Sequence, residues 1–100
     1  MRFEEHVRRS LDSLPPELAR GLENVAVVVE DENPEDPDLL GLFEELPYMP
    51  AKVTIYRRPL EADFGHDPAR LEHEIRVTVL HELAHYFGID EQRLAELGYA

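Results

Sequence analysis

His81-Glu82-Leu83-Ala84-His85 is the segment of this chain whose residue types and spacing can do chemistry. At roughly 100° per residue, position 85 of a helix lies only ~40° round from position 81, so two imidazoles one turn apart can point at one ion. Neutral imidazole is a good ligand for a tetrahedral zinc, and no sulfur is required. Glu82 lies beside that pair on the helix surface, suited to taking a proton from water rather than to binding the ion. A catalytic zinc commonly has three protein ligands and one open position. Gly88 lets the chain turn sharply after the helix, and Glu91, six residues beyond His85, can then swing back as the third ligand. Asp90 and Glu96 are the alternatives. Asp90 also reads as a helix N-cap and Glu91 as a first-turn acid favoured by the helix dipole. One zinc ion per chain is expected, and the chemistry is hydrolysis of an amide, with Glu82 as general base and then as proton donor to the leaving nitrogen. Tyr56, Tyr86, His66 and Tyr48 are candidates for stabilising the oxyanion or binding substrate.

These residues need a helix to carry them. Asp67-Pro68 reads as an N-cap followed by proline in the first turn, and Gly88 as a stop, so the pattern predicts a helix over 68–87. Ile75, Val77, Val79, Leu80, Leu83, Ala84 and Phe87 surround almost the whole of it, which predicts a buried helix. Glu74 and Thr78 share the face of the two histidines. Before it, Phe3, Val7, Leu11 and Leu14 recur at helical spacing until Pro15-Pro16, and 17–21 adds a short helical turn. Val25 to Val29 reads as a buried strand, 31–38 as an acidic, proline-bearing loop, and 39–46 as a short helix. Lys52 to Arg57 alternates with period two, which predicts a strand with one buried face, closed by Pro59. At a sheet edge that strand could hold an extended peptide by strand addition. Asp90 opens a last short helix carrying Leu94 and Leu97. The fold class is α+β: a small sheet packed against one long central helix and flanking helices.

With 100 residues the chain fits a single domain over 1–100, and 43% hydrophobic content is enough for a core. It carries 10 Lys+Arg against 22 Asp+Glu, a formal net charge of −12. That charge repels phosphate backbones, so no nucleic-acid partner is expected, and it favours peptide or protein substrates of basic character. No Cys is present, which excludes disulfides, thiolate zinc sites and a cysteine nucleophile. No run approaches a membrane span, and the first residues lack the layout of a signal peptide, so a cytoplasmic protein without a membrane partner is expected. His6 and His73 read as surface histidines, Met49 as loop or core filler, and Arg57-Arg58 as partners for nearby carboxylates.

Val25 to Asp38, Leu40-Gly41-Leu42-Phe43-Glu44, Val53 to Leu60, Arg76 to His85, and Gly88-Ile89-Asp90-Glu91 followed by Leu94 and Leu97-Gly98-Tyr99 resemble the minimal zincin-like metallopeptidases, short bacterial domains of the H-E-x-x-H-x-x-G-x-x-D type. The resemblance covers most of the chain. It implies a zinc-dependent peptidase fold reduced to its core, with His81 and His85 on the metal and Glu82 as base. This sequence departs at the third-ligand position, where the family's Asp is Glu91. Two rivals stand beside the peptidase: a catalytically silent metal-binding or interaction module of the same fold, and a zinc-dependent endoribonuclease. The second of these is disfavoured by the charge and by Glu82 and Glu91, which replace a small residue and a histidine of that pattern.

Overall fold

The computed structural model describes residues 2–99, and of His85 and Phe87 the backbone alone. The chain opens with α1 (Phe3–Asp12), α2 (Pro16–Ala19) and a 3-10 turn (Arg20–Leu22). Three strands follow: β1 (Val25–Glu30), β2 (Gly41–Glu44) and β3 (Ala51–Tyr56). It closes with α3 (Arg57–Phe64), α4 (Pro68–Phe87) and α5 (Glu91–Glu96). The strands form one sheet in the order β1-β3-β2, with β1 parallel and β2 antiparallel to β3. The α+β expectation stands.

The helix ends follow from local chemistry. The Asp67 side chain accepts a hydrogen bond from the Arg70 N–H, Pro68 occupies the first turn, and Gly88 closes α4 at φ 69. That left-handed conformation is one glycine adopts without a Cβ penalty. Leu71, Ile75, Val79 and Leu83 form a row on α4 that packs into the main core with Val53 and Ile55 of β3, Leu60 of α3, and Phe3 and Val7 of α1. Leu80 and Ala84 turn into a second cluster with Leu14, Leu18 and Leu94. Ile75 is fully enclosed. Ile75→Ala is expected to cost about 2–5 kcal/mol of stability, read from a urea melt, because the site can collapse only partly around the lost methyls.

Five expectations are corrected. Residues 41–44 are a strand, not part of a helix: glycine weakens a helix, and β3 offers an open ladder that local propensity does not reveal. β3 is the central strand, buried on both faces over Val53–Tyr56, so it is no edge for a peptide. β1 is an edge strand and only half buried. Pro59 does not close a strand; it sits in the first turn of α3, where its missing N–H leaves no helical bond unmade. His6, expected on the surface, is buried, and its Nδ1 lies 2.6 Å from Glu72 Oε2, which fastens α1 to α4.

The acidic loop after β1 is tied down at its base. Arg57 holds Asp31 at 2.8 Å and Glu61 at 2.6 Å, and Arg58 holds Glu32 at 2.9 Å, as expected for that Arg pair. The hydrogen bond from Arg57 keeps the Asp31 carboxyl below the ordinary carboxylate range. Asn33 Oδ1 accepts from the N–H groups of Glu35 and Asp36, and its amide donates to the Tyr56 hydroxyl at 3.0 Å. Among the described residues no helix is long and apolar enough to cross a membrane.

Candidate metal centre

Along α4, Val77, Thr78, His81 and Glu82 line one wall of a cleft of about 430 Å³. The opposite wall is Leu39, Leu40 and Gly41, entering and opening β2, with Asp36 and Asp38 from the acidic loop. His81 and Glu82 are half buried, so both reach the cleft while their stems rest on protein. β2 runs beside the helix. Gly41 lies against Thr78 and Glu82, and two residues later the Phe43 ring meets the Tyr86 ring with centroids 5.2 Å apart. One turn of helix separates Glu82 from Tyr86, so strand and helix advance together.

The register also decides which way β2 presents its main chain. The Leu40 carbonyl accepts from the Tyr56 N–H at 3.0 Å. The pairs Leu42 with Thr54 and Glu44 with Lys52 continue that alternation. Leu40, Leu42 and Glu44 therefore turn their backbone groups toward β3, and Gly41 and Phe43 turn theirs to the free edge. No strand among the described residues pairs with that edge.

The other expected site residues divide. Tyr86 is 48% exposed beside β2, next in sequence to His85. Tyr56 does not line the cleft: it is buried and its hydroxyl is taken by Asn33. His66 lies in the turn before α4, and ~20 Å of helix at 1.5 Å per residue separates that end from His81. Tyr48 is fully exposed at the β2–β3 turn with φ 63. Glu91 is exposed at the first position of α5, while Asp90 caps that helix by accepting from the Arg93 N–H at 2.8 Å. The His85 side chain lies outside the described residues, and among those described no trio of His, Asp or Glu gathers as a metal site. Sequence reasoning missed the cleft positions of Gly41, Asp36 and Asp38. A glycine inside an apolar run was the available signal, since it marks a close backbone approach as readily as a break.

A helix with histidines at 81 and 85, one of them on a cleft with a glutamate beside it, below a strand with a free edge, carries the H-E-x-x-H spacing in the setting that spacing calls for. The family model for zincin-like metallopeptidases matches residues 22–99. The chain belongs to the zincin-like metallopeptidase family. No curated protein matches it. The zincin-like match begins after α1 and α2 and takes in the whole sheet, the cleft and α5. Zinc binding is the general expectation for such a domain, and the donors here fit it in kind: imidazole nitrogen and carboxylate oxygen, with no sulfur.

Proposed function

We propose that this chain is a zinc-dependent peptidase that lays an extended substrate on the free edge of β2 and cuts it at an ion held by His81, His85 and Glu91. The observation that carries this reading is the cleft in which His81 and Glu82 face the start of that edge strand. Zinc bound there supplies Lewis acidity, lowering the pKa of water and polarising the scissile carbonyl. The chain's own residues do the rest. Gly41 and Phe43 offer main-chain groups to an added strand and so fix the register of the substrate beside the cleft. The Glu82 carboxylate takes the proton of the attacking water and returns it to the leaving amide nitrogen. Tyr86, next to His85 and propped by Phe43, is a candidate for contact with the substrate.

The test is a defined peptide pool incubated with protein carrying one equivalent of zinc and read by mass spectrometry. Cleavage should vanish with a chelator and return with zinc. A pool left intact would remove the peptidase reading and leave the silent metal-binding module.

The loop supports a substrate preference. Asp31 and Glu32 are consumed by Arg57 and Arg58, but Asp36 and Asp38, which line the cleft, have no cationic partner among the described residues. Two carboxylates open to a cleft favour a basic side chain near the scissile bond. Peptides with Lys or Arg there should be cut about tenfold faster than their Glu counterparts, and Asp36→Asn with Asp38→Asn should remove most of that gap. Equal cleavage of the two sets would discard the preference.

A further inference from the structure

β2 and α4 meet at one exceptionally close point. Gly41 is buried, and its backbone does not require glycine, since the positive-φ glycines among the described residues are Gly88 and Gly98. Space requires it. A Cβ at position 41 would fall 2.6 Å from Thr78 Cγ2, 3.3 Å from the Thr54 carbonyl oxygen and 3.7 Å from Glu82 Cγ. The Thr78 methyl is not free to swing aside. Thr78 is buried, its Oγ1 donates to the Glu74 carbonyl at 2.8 Å, and a β-branched side chain in a helix has few rotamers to choose from. The same glycine that lets the strand rest on this methyl turns its own N–H and C=O away from β3, at the cleft it lines with the proposed base.

We propose that Gly41 and Thr78 are a positioning pair: contact of a bare Cα with a locked methyl sets the distance between a peptide on the β2 edge and Glu82. The inference rests on the peptidase reading above. Carbon atoms in ordinary contact lie about 3.5–4.0 Å apart, so an alanine at 41 must push the strand off the helix by roughly 1 Å. A displacement of that size at a reacting centre costs about 10²-fold in rate.

The experiment compares the parent protein, Gly41→Ala, and Gly41→Ala combined with Thr78→Ser. The serine removes Cγ2 and keeps the hydroxyl that bonds to Glu74. Each protein is loaded with one equivalent of zinc; kcat and KM are measured on one peptide, zinc affinity by competition with a chelator, and folding by thermal melt. Gly41→Ala should lose about 10²-fold in kcat/KM at unchanged zinc affinity. The double variant should recover at least about tenfold of that loss, because the coupling lies between two residues in contact. The recovery stays incomplete, since the Thr54 carbonyl does not move. If Gly41→Ala does not fold, a double variant that folds and cuts supports the pair, and one that does not fold or does not cut overturns it. Gly41→Ala cutting at the parent rate, or a folded double variant no faster than Gly41→Ala, overturns it as well. A parent protein that cuts nothing removes the peptidase reading, and the pair with it; a parent that cuts while Gly41 proves indifferent removes the pair alone.

Discussion

Glu82→Gln is expected to lower kcat by roughly 10²–10⁴-fold while zinc content and KM stay near those of the parent. Glutamine has nearly the same shape and sits on the same half-buried stretch of α4, so the helix, the cleft wall and the contact with β2 have no reason to change. What changes is proton chemistry. A carboxylate can accept a proton from water and give it back, whereas a neutral amide can do neither at neutral pH. The loss should therefore appear in the chemical step rather than in substrate binding. Cleavage at the same rate by both proteins would assign the activity to a contaminant. A loss of bound zinc in Glu82→Gln would instead make Glu82 a ligand and undo the assignment of the base.

His81→Ala is expected to weaken zinc binding by more than the roughly 10–100-fold that loss of a residue merely supporting a ligand costs. Elemental analysis after dialysis should find about one zinc per chain in the parent and almost none in this variant. The same measurement sorts the acidic residues after Gly88. Glu91 is exposed at the start of α5 with its carboxylate in the first turn, and Asp90 is occupied as the N-cap. Glu91→Ala should lower zinc affinity. Asp90→Ala should leave zinc in place and cost about 1 kcal/mol through the lost cap. If zinc follows Asp90 instead, the shorter carboxylate is the ligand and Glu91 only decorates the helix dipole. A parent protein that never retains the metal would remove the whole assignment.

How much of this was legible in the sequence depends on how far apart the deciding residues lie. The limits of α4 were legible because Asp67, Pro68 and Gly88 act on their immediate neighbours. The acidic loop and the last helix were legible for the same reason, through its prolines and like charges and through the Asp90 cap. β2 was not, because its strand character comes from a ladder with β3, whose residues Lys52 to Ile55 stand well beyond it in the chain. The burial of His6 rests on Glu72, 66 residues away, and the fate of the Tyr56 hydroxyl rests on Asn33, 23 residues back. The spacing of His81, Glu82 and His85 raised a zinc site from local sequence alone. It said nothing of the wall opposite them, because Gly41, Asp36 and Asp38 reach the cleft only through tertiary folding.

β2 is four residues long, and only Gly41 and Phe43 turn their main chain outward. An unpaired edge is ordinarily a hazard, since any exposed strand can template another and seed self-association. Here the ladder ends after two outward residues, with Glu44 and Glu45 following at once. Glu44 is held by Lys52 at 3.6 Å, which leaves the exposed Glu45 to set like charge against a second copy drawn up alongside. The β2 opening is long enough for a visiting segment and offers a second copy little ladder to extend.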